Sequence, residues 1–433
     1  MVHSFLNEYY ECLLLNLINV NTVTPMETNS PSENLRALNI YKTAAHKLGF
    51  KTIYLKSPSK EDVLTDKTPQ IVIQHYESMG ETFLSSQPNL VLEYGNAKHI
   101  NQTIMFNFHI DTVEGYIPGS YKNGVFTGRG AVDMKGPAVA LLAGIDAALK
   151  EVPSLKDNTR ILIQAVSGEE GGAMGIYGTK LMCQKGYLGS LNIFVEPTEG
   201  YFIDKSTTSM TANIVVKGED STDDAPNSGH NATLILGFLA QSMMKPLSEK
   251  LNAIGAKICL SGLYTGSMHN KIYGSGSLKF NFAYPSIEVQ KIIEREVEAT
   301  YHQSLREFKD KFRDTVEITR TVNTIEDITE LKWLKKGLPV LNNRNNFFER
   351  LLYDAGLKRL PSQLSNKAFT CDAMWAQKEN NYTIVYGPGS LEKNHAHSNN
   401  EFINKNQLES FCNDIKNILL CFNKNSQKQK VII

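Results

Sequence analysis

His109 and Asp111 stand two residues apart where an apolar run, Thr103–Phe108, comes to an end. Three further apolar runs end in residues of the same kind. Arg160–Val166 leads into Ser167-Gly168-Glu169-Glu170-Gly171, and Leu191–Val195 into Glu196-Pro197-Thr198. Tyr382–Tyr386 leads into Gly387-Pro388-Gly389 and then Asn394-His395-Ala396-His397. Another acidic residue, Asp133, sits within Gly130-Ala131-Val132-Asp133-Met134-Lys135-Gly136. A single acidic residue or histidine after a strand is ordinarily a cap or a surface group. Four such endings together with Asp133 form a pattern that chance does not readily produce.

Two imidazoles and several carboxylates with no cysteine close by suit a borderline divalent ion: zinc first, with cobalt or manganese as alternatives. One ion could not neutralise so many carboxylates, which argues for two. His109 and Asp111 are two apart on a strand and point the same way. The Asp111 carboxylate can then hold the far nitrogen of the imidazole, as metal-binding histidines require. Glu169 and Glu170 are adjacent and must point differently. One can bind metal while the other faces the water it deprotonates.

These residues need a scaffold that aligns strand ends. The apolar runs are short, rich in β-branched and aromatic residues, and bounded by turn residues. The first three alternate with helical or loop segments, and the stretch from Pro137 through Ala138–Leu149 is an Ala/Leu helix. That alternation predicts an α/β fold with parallel strands, whose sites lie at the strand C-termini. Helices are also expected at Phe5–Val20 and at Asn34–Leu48, the latter capped by Gly49. The middle of the chain has another rhythm. Strands at Thr211–Gly218, Lys257–Leu263 and Ser277–Phe282 and helices at Asn231–Ser242 and Ile287–Phe308 make an inserted α+β domain. The expected boundaries are 1–205, 206–321 and 322–433, with Ile325–Asn346 leading back to the first domain. A C-terminal helix carries Leu408, Phe411, Ile415 and Leu419, and Asn423–Lys430 reads as a solvated, frayed tail.

The chain has 433 residues, enough for two or three domains. Lys+Arg and Asp+Glu are both 45, so the net charge is zero, which argues against a protein built to hold nucleic acid or an anionic membrane. Hydrophobic residues at 41% and charged residues at 21% exclude a disordered chain. The six cysteines are scattered with no C-x-x-C pair, as in a reducing compartment. The N-terminus has no secretory pattern and no run is apolar enough to span a bilayer, so the expected location is cytoplasmic.

The ordered motifs resemble those of the dinuclear zinc amidohydrolases and exopeptidases that include acetylornithine deacetylase, succinyl-diaminopimelate desuccinylase, aminoacylase and carboxypeptidase G. The resemblance rests on His109-x-Asp111, Asp133-Met-Lys-Gly, Glu169-Glu170, Glu196-Pro-Thr, and Gly387-Pro-Gly followed by His397-x-x-Asn-Glu401. It implies that His109 and Glu196 bind one metal ion, Glu170 and His397 the other, and Asp133 both. It makes Glu169 the general base and Asp111 the residue that orients His109. It implies a catalytic α/β domain, its sheet mixed but largely parallel and flanked by helices, interrupted by a smaller α+β lid domain often used for dimerisation. The His-x-x-Asn-Glu frame selects His397 over His395 as the ligand. Glu199 reads as a surface residue, Asp372 as structural support near the site, and Cys371 as a buried thiol.

The inserted domain departs from that resemblance. Relatives carry a histidine that helps stabilise the oxyanion where this chain has Thr222, within Gly218–Ala232. His230 lies in that segment in another register, and His269 is a second candidate to replace it. Asn270 matches an Asn in a family turn whose Pro is Tyr273 here. The carboxylate-gripping Arg of many relatives is Ala283. The expected activity is metal-dependent hydrolysis of an amide bond in a small or peptide-like molecule. Two alternatives are a metal-retaining binding or regulatory protein, and an enzyme of acyl transfer or amide formation. Retention of Glu169 favours the hydrolase.

Overall fold

The structure, a computed structural model, describes residues 4–65, 68–361 and 370–430. The chain divides into two compact units, one formed by Met1–Ser206 with Leu341–Ile433 and the other by Thr207–Val340.

The first unit is built on a six-stranded sheet. Its strands lie in the order Lys51–Lys56, Asn89–Tyr94, Arg160–Val166, Thr103–His109, Leu191–Phe194, Tyr382–Val385. Only Asn89–Tyr94 runs against the rest, because it pairs antiparallel with both neighbours while the last four strands pair in parallel. The sheet is therefore mixed and largely parallel, as expected. Thr103–His109, Leu191–Phe194 and Tyr382–Val385 are buried along their whole length. Continuous apolar strands of this kind need cover on both faces, which helices provide. The helices Lys135–Glu151 and Lys405–Lys430 pack on each other within that cover. The second runs beyond the expected helical stripe. Asn423–Lys430, read from composition as frayed, continues the helix, and Asn423 and Ser426 are buried. Asn423 accepts a hydrogen bond from the buried Thr159 hydroxyl at 3.1 Å, a partner its polarity alone does not disclose.

The second unit is an antiparallel four-stranded sheet in the order Lys257–Tyr264, Ser275–Tyr284, Thr208–Lys217, Thr329–Lys335. Alternate residues Met210, Ala212, Ile214 and Val216 are buried with Leu278, Phe280 and Phe282. Leu236 and Leu239 of Ala232–Asn252 and Ile293 and Val297 of Ile287–Phe312 complete this core. The first of these helices passes Pro246 and ends ten residues beyond the expected Ser242, because Met243, Leu247 and Leu251 continue its buried stripe. The second break between units lies at Val340/Leu341 rather than 321/322. Thr329–Lys335, read as connecting chain, is an edge strand in register with Thr208–Lys217, from Thr329 opposite Val216 to Lys335 opposite Thr211. Its alternation is blurred by charged residues on the outer face. Among the described residues no helix is long and apolar enough to cross a membrane.

The crossing of Lys135–Glu151 with Lys405–Lys430 depends on Gly144. A Cβ there would lie 2.6 Å from the Cys412 carbonyl oxygen and 2.8 Å from Ile415 Cβ. Alanine gains about 1 kcal/mol of helix propensity over glycine, but overpacking against backbone costs about 1–3 kcal/mol. Gly144→Ala should therefore lower the denaturant midpoint; a raised midpoint would show that the helices separate freely.

Candidate metal centre and active site

The parallel strands deliver their C-terminal ends to one edge of the sheet. His109 is the last residue of its strand, and Glu169, Glu170 and Glu196 follow the ends of two others. His109 Nδ1 donates to the backbone carbonyl of Asp111 at 2.8 Å. With the proton held on Nδ1, Nε2 is the nitrogen whose lone pair can meet a cation. This bond differs from the one expected: the nearer Asp111 carboxylate oxygen is 3.9 Å from Nδ1. The carboxylate is engaged elsewhere, accepting the Gly168 N–H at 2.9 Å and the Glu170 N–H at 3.2 Å. Asp111 thus fixes the imidazole through its backbone and the Glu169–Glu170 loop through its side chain.

Asp133 lies between the two histidines. Its Oδ1 is 2.9 Å from His109 Nε2 and its Oδ2 is 3.1 Å from His397 Nε2. His397 Nε2 is also 3.2 Å from Glu170 Oε1, and His109 Nε2 is 4.0 Å from Glu196 Oε1. One donor atom each from His109, Asp133 and Glu170 falls within 4.8 Å of the others. His109, Asp133, Glu170 and Glu196 are buried and His397 is exposed.

The electrostatics describe a site rich in negative charge. Burial raises the Glu169 carboxyl well above the usual range, and Glu170 and Glu196 raise it further. Burial also raises Glu196, against the opposing pull of His109, and Glu170, against its bond with His397. Burial pushes Asp133 up as well, but the two imidazoles outweigh it and hold the carboxyl low. Asp133 and Glu170 push His397 up to about 11. Buried carboxylates of like charge are tolerated when paired or bound to metal. This donor set, oxygen and imidazole with no thiolate, fits hard-to-borderline divalent cations.

Further residues hold these groups. Glu401 accepts the backbone N–H groups of Val132 and Asp133 at 3.1 and 3.3 Å, and its other oxygen accepts from Arg129 Nη1 at 2.8 Å. Arg129 is buried and donates also to the carbonyls of Gly115 and Glu114. Glu401 was visible in the sequence as part of a motif. Arg129 belongs to none of the motifs; only its place in Gly128-Arg129-Gly130, just before Asp133, hints at a role. Glu199, read as a surface residue, is half-buried and its N–H donates to the Gly389 carbonyl at 2.7 Å. Thr198 Oγ1 accepts the Gly387 N–H at 3.0 Å, joining the loop after Glu196 to the loop that leads to His397. His395 and His397 both have positive φ, 52° and 64°, unusual for residues with a Cβ. His395 is exposed beside Phe402. Burial raises the Cys371 thiol, so it is poorly suited to nucleophilic attack.

The remaining candidates lie in the second unit. Thr222 is exposed in a two-residue strand opposite Lys271. His230 is buried, and its Nδ1 accepts the Glu219 N–H at 2.8 Å, so one ring nitrogen serves the local loop. His269 and Asn270 are exposed.

Glu401→Gln leaves the buried Arg129 without its counter-charge and loosens the backbone at Asp133. Loss of one partner of a buried pair costs about 3–5 kcal/mol, and loss of support behind a ligand weakens metal binding by roughly 10- to 100-fold. Denaturant unfolding and metal titration of the variant should show both losses. Wild-type values in both would refute this role for Glu401.

Comparison with known proteins adds four observations. Residues 105–419 match the pattern of Peptidase family M20/M25/M40. A "Probable succinyl-diaminopimelate desuccinylase" of Staphylococcus epidermidis is 25% identical over 364 residues, covering 78% of this chain and 87% of that protein. A LysW-lysine/LysW-ornithine hydrolase of Saccharolobus islandicus is 24% identical over 373 residues, covering 85% and 93%. Among solved structures, the M20 family metallo-carboxypeptidase Sso-CP2 from Sulfolobus solfataricus has the same fold, with a TM-score of 0.67, 12% identity and coverage of 96% of this chain and 100% of that one.

Proposed function

The chain belongs to peptidase family M20/M25/M40 and is a hydrolase of amide or peptide-like bonds, and from that premise we propose that it works with two divalent ions, zinc first, and Glu169 as general base. The observation that carries this reading is the Asp133 carboxylate, with one oxygen facing His109 and the other facing His397. A carboxylate so placed suits a bridge between two cations. His109 and Glu196 would hold one, and Glu170 and His397 the other. Bound there, the cations would polarise the scissile carbonyl and acidify the attacking water.

The chain's own groups do the rest. Asp111 keeps the His109 proton on Nδ1 through its carbonyl. Its carboxylate fixes the backbone on either side of Glu169 by bonds to Gly168 and Glu170. Glu169 takes a proton from the attacking water and passes it to the leaving amine. The burial and neighbouring charge that raise its carboxyl favour holding that proton between the two transfers.

Thr222 and Ala283 bear on the substrate. They stand where relatives have an oxyanion-stabilising His and a carboxylate-gripping Arg. The substrate then lacks a free carboxylate beside the scissile amide or holds it in another way. The names of the relatives support an amide bond as the target. The six free thiols agree with a cytoplasmic location, and the second unit is the expected surface for a homodimer.

Metal content, variant kinetics and substrate range test this function. Protein purified without chelator and reconstituted with zinc should hold up to two equivalents by elemental analysis. Glu169→Gln should cut turnover by roughly 10²–10⁴-fold to a small residual rate with metal content near normal, whereas Glu170→Gln should weaken binding of the second equivalent; equal metal loss in both would refute this division of roles. Simple N-acetyl amino acids should be turned over at least roughly 100-fold more slowly than a true substrate, since a missing oxyanion donor and a missing bidentate pair each cost a few kcal/mol. Turnover of such compounds at roughly 10 per second or more would refute the inference from Thr222 and Ala283. Full activity of both His230→Ala and His269→Ala would show that neither imidazole replaces the missing one.

A further inference from the structure

The segment Ser167–Gly178 carries Glu169 and Glu170 yet contains no helix or strand. Gly168, Gly171, Gly172, Met174 and Gly175 all take positive φ within it. A glycine-rich backbone without a ladder of its own has many accessible shapes. Neighbours must select the one that aims Glu169. Asp111 does this at the start of the segment through Gly168 and Glu170.

The far end is held by another stretch of chain, the short turn Asp372–Ala376. A Cβ added to Gly175 would lie 2.7 Å from Asp372 Cβ, so Asp372 packs directly on the loop backbone. The indole Nε1 of Trp375 donates to the Met174 carbonyl at 2.7 Å. Thr179, the first residue after the segment, is fully buried, and its hydroxyl donates to Asp372 Oδ2. The same hydroxyl accepts from Asn107 Nδ2 at 3.0 Å, and Asn107 also donates to Gln164 Oε1 at 2.9 Å. Asn107 is two residues before His109 and on the same side of its strand. The chain of bonds thus ties the end of the loop to the strand that carries His109.

We propose that Asp372, Trp375 and Thr179 form a clamp that positions the Glu169–Glu170 loop, so that Glu169 is aimed for proton transfer. This rests on the reading of Glu169 as the base. None of the three touches the reacting atoms in this account; they are positioning residues that act through the loop. Asp372→Asn keeps the size of the side chain and removes the charged acceptor of the Thr179 hydroxyl.

The test compares Asp372→Asn in the wild-type and Glu169→Gln backgrounds. The chain has two tryptophans, so a Trp333→Phe protein leaves Trp375 as its single tryptophan. In the wild-type background Asp372→Asn should lower kcat by roughly 10- to 100-fold, the scale of a base misplaced by about an ångström. KM and bound metal should stay within about twofold, and Trp375 emission should shift to the red. In the Glu169→Gln background the same substitution should change the residual rate by less than about twofold, because the group it aims is already gone. An equal loss in both backgrounds, or unchanged kcat and emission, overturns the proposal. If Asp372→Asn fails to fold, Thr179→Val and Trp375→Phe are read by the same kinetic comparison. If the wild-type protein binds no metal and cleaves no amide, the proposed function fails, while Trp375 emission still decides whether Asp372 holds the loop.

Discussion

Asp133 is shared between His109 and His397, one oxygen to each, in a pocket that also draws in Glu169, Glu170 and Glu196. Bringing that many carboxylates together out of water is unfavourable unless each meets a proton donor or a cation. The rest of the first unit is arranged to meet that demand. Asp111 gives its carboxylate to two backbone N–H groups and its carbonyl to an imidazole. Glu401 neutralises Arg129 and holds the backbone at Asp133. A largely parallel sheet is the element that can present these groups at one edge, because its strands end on the same side.

The strands that deliver the site are readable in the sequence because most of their residues are apolar and buried. Thr103–His109, Arg160–Val166, Leu191–Phe194 and Tyr382–Val385 match the expected runs to within a residue or two. Near-complete burial keeps polar residues to a few hydrogen-bonded positions such as Asn107 and Gln164, so the pattern stays sharp. Thr329–Lys335 was missed for the opposite reason. It is an edge strand with Glu330 and Lys332 exposed to solvent, and a half-exposed alternation with charges resembles a connecting segment. Pro246 misled in another way. Proline marks the end of many helices, but the buried stripe through Leu247 and Leu251 carries Ala232–Asn252 past it.

Within the site, the types and order of the metal-binding candidates could be read from the chain, but their supports could not. Whether Asp111 holds His109 by carboxylate or carbonyl depends on what competes for the carboxylate, and the competitors are backbone N–H groups 57 and 59 residues away. A backbone donor leaves no trace in residue type. Arg129 is similarly silent, since an arginine looks the same whether it faces water or a buried glutamate 272 residues on. His230 shows the reverse risk. It stands out in the sequence as a catalytic candidate, yet one of its ring nitrogens is committed to the Glu219 N–H.

The second unit interrupts the chain between Ser206 and Leu341, and the first unit is finished only by what comes after it. Tyr382–Val385, His397 and Glu401 all lie beyond the interruption. As the protein is made, the strand Leu191–Phe194 emerges long before the neighbour that will cover its outer edge. Asp133 likewise emerges before the histidine that meets its second oxygen and the glutamate that holds its backbone. Of the two imidazoles that face Asp133, only His109 precedes the interruption. The order of synthesis makes the first unit depend on its own last segment, so no fragment ending within the second unit contains all six strands of the sheet or all of the candidate metal-binding residues.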